Sequence, residues 1–323
     1  MASRDQATRS PVPARPVSQR DVRDQNLRLA LRAVADGGAT TRARVAAEIG
    51  LTKATVSALV EQLGSAGLVV DHGPAATGRL GRPGSVIALD ADGGPVGLGL
   101  EINVDYLAAC VVDLAGDVRA LEVRPVDNVG RGPRPVLASA IRLARRTLDA
   151  VDRPRGLAGV TVAVPGPVEQ ATGTLVSAPN LGWARTAVAE HVAAGLGVPR
   201  GAVALDNEAN LAAQAEAWAG CARGIEDFVE VVGEIGVGGA LVLDGTLFRG
   251  VHGFAGEIGH VAVVTGGEQC GCGAHGCLET VAGQRALLAG AGIDATVGTR
   301  MGGTSAAAAM VVERARAGDA ATL

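Results

Sequence analysis

Residues 40–63, TTRARVAAEIGLTKATVSALVEQL, leave the chain few ways to fold. Apolar positions recur at helical spacing from about Thr41 to Ile49, break at Gly50-Leu51-Thr52, and resume from Lys53 to Leu63. The glycine supplies a left-handed turn residue, and Thr52 supplies a cap for the helix that follows. Ala46 is small where two helices must cross closely, while Leu51, Val56 and Leu59 fill a shared core. This is helix-turn-helix spacing. The exposed first turn of the later helix offers Lys53, Ala54, Thr55 and Ser57, short side chains suited to base edges and phosphates in a major groove. Arg42 and Thr52 complete the candidate DNA contacts in this segment. A helical hairpin that binds no DNA satisfies the same spacing.

The flanking residues narrow the choice. Upstream, Leu27, Ala30, Leu31 and Val34 recur at helical spacing and stop at Gly37-Gly38. Downstream, GLVVDHGPAATGRLGRPGSVIAL reads as strand, Gly/Pro-punctuated turn and strand, which is a wing. Arg79 and Arg82 sit in its tip, where they suit a minor groove or phosphates, or simply a solvated loop. Helix, helix-turn-helix and wing in this order predict a winged DNA-binding domain over 21–89, behind a flexible basic arm of residues 1–20. Charge agrees with that division. The net of −4 resolves into +5 for residues 1–85, where 11 Arg and one Lys face 7 acids, and −9 for the rest, where 17 Arg face 26 acids. A polyanion, if one is bound, is therefore expected to meet the front of the chain. With six aromatic residues in 323, a surface that stacks single-stranded bases is not expected.

From Val96 onward strand-like runs alternate with helices. GLGLEINVDYLAACVVDLAGDV reads as two or three strands, and Val136–Leu148 as an amphipathic helix that follows the punctuation of Pro133 and Pro135. GVTVAVPGPV and AVALDN read as strands, AVAEHVAAGLG and EANLAAQAEAWAG as helices, and FVEVVGEIGVGGALVLDG as two glycine-joined strands. Strand-rich starts followed by helices, twice over, predict a two-lobed α/β domain over 90–323, with lobes of about 90–202 and 203–323 and a cleft between them. No charged-then-apolar leader opens the chain, and no run of eighteen apolar residues appears. A soluble cytoplasmic protein without a membrane partner is the expectation. In that compartment the thiols of Cys270-x-Cys272-x4-Cys277 more often bind metal than form disulfides. Three thiolates in a glycine-rich loop suit structural Zn²⁺ with a fourth N ligand, His260 first and His275 second. A reduced or redox-active thiol trio is the alternative. Read without any resemblance, Glu257 and Glu279 are solvated surface acids, Asn180 a turn residue and Trp183 a core anchor.

GFAGEIGHVAV followed by CGCGAHGCLET resembles the ROK family of bacterial repressors and sugar kinases, and VAVPGPVE, SAPNLGW, LDNEANLAA and GEIGVGGALVLDG match further blocks in the expected order. The likeness runs from about residue 21 to the end. A winged helix in front is similar to the family's repressor branch. The resemblance implies an actin-like, two-lobed sugar kinase fold with the sugar in the cleft. It places Asn180, Glu257, His260 and Glu279 at sugar-binding positions, with Asn207 and Glu208 beside them, and gives His260 a second role as zinc ligand. Carboxylate and amide oxygens accept from sugar hydroxyls while amide and imidazole N–H groups donate, so the residue types fit.

The same resemblance separates this chain from the family's kinases. Where those read Asp-x-Gly-Gly-Thr, this chain has Glu101-Ile102-Asn103-Val104-Asp105, and side chains stand where bare backbone must approach phosphates. Where they place the Asp base of Asn-Asp-x-Asn, it has Asn207-Glu208-Ala209-Asn210. The loop Gly233-Glu234-Ile235-Gly236-Val237-Gly238-Gly239 carries an acid where a threonine is common, and an acid repels ATP. Sugar binding without turnover follows. A sugar-responsive transcriptional repressor is expected, a homodimer or homotetramer on double-stranded operator DNA with a sugar effector. The rival is an ATP-dependent sugar kinase with a regulatory head. The resemblance also implies a further C-terminal section beyond RARAGDAATL that would contribute nucleotide contacts and cover the second lobe.

Overall fold

Ser18 and Asp21 start the first helix reciprocally: the Ser18 hydroxyl accepts from the Asp21 amide (3.1 Å) and the Asp21 carboxylate accepts from the Ser18 amide (2.9 Å). That capping box places the start of α1 (Gln19–Gly37) inside the stretch expected to be a flexible arm, so the last residues of the arm are helical. The computed structural model describes residues 18–74, 85–152, 155–251, 253–293 and 304–318. Residues 1–17 of the arm, and Arg79 and Arg82 of the expected wing tip, lie outside the described residues. The chain divides into two compact units, residues 1–94 and 95–323.

In the first unit, β1 (Thr40–Thr41) leads into α2 (Arg42–Ile49), whose cap is the Thr41 hydroxyl. Gly50 ends α2 at φ 70°, ψ 25°, a conformation that glycine adopts without steric cost. Thr52 then caps α3 (Lys53–Ser65) by accepting from the Thr55 amide at 3.2 Å. Strands β2 (Val69–Pro74) and β3 (Ser85–Leu89) pair antiparallel, and β1 adds to β3. Val34, Val45, Val56, Leu59, Leu63 and Ile87 form one core beneath the three helices. Each such side chain contributes about 1.5–3 kcal/mol through burial.

In the second unit the predicted strand run resolves into three strands, β4 (Val96–Ile102), β5 (Tyr106–Val112) and β6 (Val118–Pro125), an antiparallel meander. Helix α4 (Pro133–Asp149) begins at Pro133, earlier than the sequence pattern suggested. A first-turn proline lacks an N–H that the helix does not need and brings a preset φ. Val136, Leu137, Ala140, Leu143 and Ala144 form its buried stripe against Leu98, Leu100, Leu107 and Val111. Strand β7 (Leu157–Val164) lies parallel to β4. A small antiparallel sheet of β8 (Val168–Glu169), β9 (Thr174–Ala178) and β10 (Trp183–Thr186) buries Trp183, and α5 (Val188–Leu196) follows.

Strand β11 (Val203–Asn207) corrects the expected lobe boundary at residue 203. It pairs parallel with β7 and so belongs to the first sheet, whose order is β11-β7-β4-β5-β6. Helix α6 (Glu208–Ala219) then packs on a second sheet, β12 (Phe228–Gly233), β13 (Val237–Leu243) and β14 (Thr246–Phe248). A loop carrying the three clustered cysteines leads to α7 (Leu278–Ala282), α8 (Gln284–Gly290) and α9 (Thr304–Arg316). No described helix is long and apolar enough to cross a membrane.

Candidate functional site

The cavity lies where strand ends of the three sheets in the second unit meet the cysteine loop. Its volume is about 110 Å³, room for several water molecules, and its lining includes Asn180, Asn207, Glu208, Glu257, His260 and Glu279. All six expected sugar contacts therefore converge, though they do not carry equal hydrogen-bonding capacity. Asn180 sits exposed in the turn after β9. Asn207 is largely committed to the backbone: its Oδ1 caps α6 by accepting from the amides of Ala209 (2.9 Å) and Asn210 (3.3 Å), and its Nδ2 donates to Gly166 O at 3.3 Å. Glu279 Oε2 accepts from the Val237 amide at 3.3 Å. The close approach needs Gly236, since a Cβ there would stand 2.2 Å from Glu279 Oε2. Glu257 and His260 face each other, Oε2 to Nε2, at 3.8 Å.

Carboxyl groups dominate the electrostatics, and among the described residues no Lys or Arg lines the cavity. Burial pushes Glu208 up to about 8, assisted by the charges of Glu234, Glu101, Glu257 and Glu279, and its Oε2 is buried without a hydrogen-bond partner. Burial also raises Glu257, which His260 partly offsets. Glu257 itself stays exposed, a surface acid that opens onto the cavity.

His260, Cys270, Cys272 and Cys277 offer one donor atom each, all within 4.8 Å of one another, and these four can hold a metal ion. The Cys272 and Cys277 sulfurs are 3.8 Å apart, and His260 Nδ1 is 3.5 Å from Cys270 Sγ, distances of the kind that separate neighbouring donors around one tetrahedral ion. His260 thus turns Nδ1 to the thiols and Nε2 toward Glu257. His275, the second choice for fourth ligand, is outside this group, and its backbone pairs with Gln269.

Two networks lacked a sequence signal for all of their members. Asp206 is buried and takes Arg249 Nη2 (2.5 Å), Gln170 Nε2 (2.8 Å), Asn210 Nδ2 (2.9 Å) and the Asn207 amide (2.8 Å), holding the strand-to-helix turn that aims Asn207 and Glu208. Tyr106 Oη lies 2.6 Å from Glu101 Oε1 and 3.1 Å from Glu234 Oε1, and Asn103 Nδ2 donates to Glu234 Oε2. Tyr106 was not singled out by the motif, although Glu101, Asn103 and Glu234 were.

In the first unit Lys53, Ala54 and Thr55 are exposed and Ser57 is half-buried, its hydroxyl donating to Lys53 O at 2.9 Å. Thr52 is occupied as the cap of α3. Arg42 is occupied too: its Nη1 is 2.9 Å from Asp71 Oδ2, so this expected DNA contact braces α2 against β2. The hydrogen bonds of Ser85 and of the Gly73 amide, with Arg42 beside them, hold Asp71 at about 2.

A model of the ROK family matches residues 97–323. The xylose repressor of Caldicellulosiruptor bescii is 33% identical over 264 residues, 81% of this chain and 65% of that protein. The chain thus spans just under two thirds of that relative's length, and the matched share of this chain exceeds residues 97–323, so the likeness reaches back into the first unit. The crystal structure of a ROK family transcriptional regulator, a homologue of the E. coli MLC protein, superimposes with a TM-score of 0.68 at 23% identity, over 84% of this chain and 67% of that one. The ROK family glucokinase of Streptomyces griseus, in complex with glucose and AMPPNP, gives a TM-score of 0.60 at 26% identity over 70% of this chain and 73% of that one.

Proposed function

Since the chain belongs to the ROK family, we propose that it is a sugar-responsive DNA-binding regulator, a cytoplasmic repressor of carbohydrate-utilisation genes. One observation carries this reading. The same chain pairs a cavity of amides and carboxyls with a first unit whose α3 leaves Lys53, Ala54 and Thr55 exposed.

We read that first unit, about residues 21–89, as a winged helix-turn-helix, with α3 entering the major groove and the β2–β3 hairpin as wing. Two copies in a homodimer or homotetramer would grip a roughly palindromic operator. Residues 90–323 form the sugar-binding domain, where Asn180, Glu257, His260 and Glu279 take the sugar hydroxyls. Asn207 and Glu208 stand at the edge of the set, the first through its spare amide hydrogen, the second as a neutral acid able to donate. A relative named for xylose supports a neutral pentose as first candidate. His260, Cys270, Cys272 and Cys277 would hold Zn²⁺, which supplies no reaction and anchors the loop so that Glu257, His260 and Glu279 keep their places.

The kinase reading is disfavoured in three motifs. Asn103 and Val104 stand where the family's kinases bring bare backbone to the phosphates, Glu234 adds an acid in the second phosphate loop, and Glu208 replaces the aspartate base. An extra methylene moves a base by more than ~1 Å, which can cost ~100-fold in rate. Sugar-dependent release of DNA from the gene's own upstream region, in a gel-shift titration over a sugar panel, is the expected result. Absence of DNA binding, or indifference to every sugar, contradicts the proposal, and sugar phosphate formed from ATP and Mg²⁺ would favour the kinase.

A further inference from the structure

Glu234 stands in the turn between β12 and β13, yet its carboxyl group is held from a different sheet. Asn103 Nδ2, in the turn between β4 and β5, donates to Glu234 Oε2, and Tyr106 Oη at the start of β5 lies 3.1 Å from Glu234 Oε1. The same phenol is 2.6 Å from Glu101 Oε1, and Asn103 Nδ2 is 3.3 Å from that oxygen. Three donor hydrogens, two on the amide and one on the phenol, are thus shared between two carboxyl groups. Asn103 is buried, and its own Oδ1 accepts from the Val104 amide at 2.6 Å. Asn128 Nδ2 in turn donates to Asn103 O at 2.8 Å, so the β4–β5 turn is itself pinned. On the other side the Glu234 amide donates to Gly236 O at 3.1 Å, which closes its turn.

This junction forms one wall of the cavity, because Asn103, Val104, Glu234, Ile235 and Gly236 all line it. A ligand oxyanion arriving at that wall would meet the Glu234 carboxyl group with its donors already taken, and further acids at Glu208, Glu257 and Glu279. No Lys or Arg among the described residues is there to receive it. Uncharged hydroxyls meet no such obstacle, since they can donate to the carboxyl oxygens.

We propose that Glu234 is a latch and a gatekeeper: by taking Asn103 and Tyr106 it ties the β4–β5 turn to the β12–β13 turn and excludes phosphate groups from that end of the cavity. The cavity then accepts uncharged polyhydroxyl ligands there and refuses phosphate-bearing ones, whether a sugar phosphate or a nucleotide. This deepens the sugar-effector reading and rests on it for the ligand class, while the latch itself stands on the contacts above.

Hydrogen–deuterium exchange of the full chain tests the latch without DNA or sugar. Glu234→Ala and Tyr106→Phe are each expected to raise amide exchange at least ~10-fold in both turns, residues 103–106 and 233–237, since locally opened segments exchange according to their opening free energy. Faster exchange only in the turn that carries the substitution would overturn the latch. Calorimetry with inorganic pyrophosphate, a hexose phosphate and a nonhydrolysable ATP analogue tests the gate. Glu234→Gln, which keeps the size and removes the charge, is expected to bind pyrophosphate at least ~10-fold more tightly than the wild type, and the other two ligands tell which phosphate source profits. Equal binding by wild type and Glu234→Gln would overturn the gate. If these results hold while DNA release by sugar does not, the sugar-effector reading fails and the latch survives.

Discussion

The two ends of the cavity spend their polar groups differently. Around Glu234 the side-chain donors are bonded to other protein groups across long stretches of chain: Asn103 and Tyr106 to Glu234, Asn128 Nδ2 to the Asn103 carbonyl. Around Glu257 and His260 the contacts are sparse, a single 3.8 Å approach between them and an exposed Asn180 nearby. Asn180, Glu257 and His260 are exposed with hydrogen-bonding capacity to spare, so that end is where a ligand's hydroxyls fit, while at the crowded end the protein has supplied partners of its own. The same comparison bears on the proposed regulator role: in a fold shared with a glucokinase, one end keeps open donors and acceptors and the other has closed on itself.

The contrast can be broken at several points, in descending order of effect. Removing the metal donors comes first. Cys277→Ala, or treatment with a strong chelator, should cost the second unit at least about 4 kcal/mol, read by thermal unfolding, and should abolish sugar binding because His260 and Glu257 lose their support. Unchanged melting after metal removal would show that the four donors are merely adjacent.

Glu208 gives the next effect through pH. Its folded pKa of about 8 lies above the ordinary carboxylate value, so the folded state holds a proton that the unfolded chain has released. Stability from this group is full below about pH 4.5 and is lost as pH rises through 8. Glu208→Gln should therefore gain on the order of 3 kcal/mol relative to wild type between pH 5 and pH 8.5 in denaturant titrations. A constant difference across that range would place Glu208 in water.

Ligand contacts come third. Glu257→Ala should weaken sugar binding by ~10–100-fold, from loss of charged hydrogen bonds worth about 1.5–3 kcal/mol, whereas Asn103→Ala at the crowded end should change it less than ~3-fold. Equal losses by calorimetry would erase the distinction between the two ends. Smallest is Thr52→Ala, expected to destabilise the first unit by about 1 kcal/mol through loss of the α3 cap, measurable by thermal unfolding.

Local chemistry made much of this legible in the sequence. Thr41, Gly50 and Thr52 act within a few residues of themselves, so the limits of α2 and α3 follow from propensity and capping alone. The metal donors fall within a short loop plus His260, a spacing that already pointed to them. That Asn180, Glu257 and Glu279 share a cavity was legible only through family blocks, because nothing in an isolated Glu or Asn distinguishes a cavity residue from one elsewhere on the surface. Tyr106 and the Asp206–Arg249 pair were not legible, since their partners lie dozens to more than a hundred residues away and come together only through sheet pairing. The lobe boundary was misplaced for the same reason, β11 being joined to β7 by a parallel crossover that leaves no local mark.

The central claim is most directly tested by fluorescence anisotropy of labelled DNA from the gene's own upstream region, titrated with the protein with and without saturating D-xylose and other neutral sugars. Sequence-selective binding that falls at least ~10-fold with one of these sugars is the expected result. Binding that no sugar alters, or no selective binding at all, would contradict it.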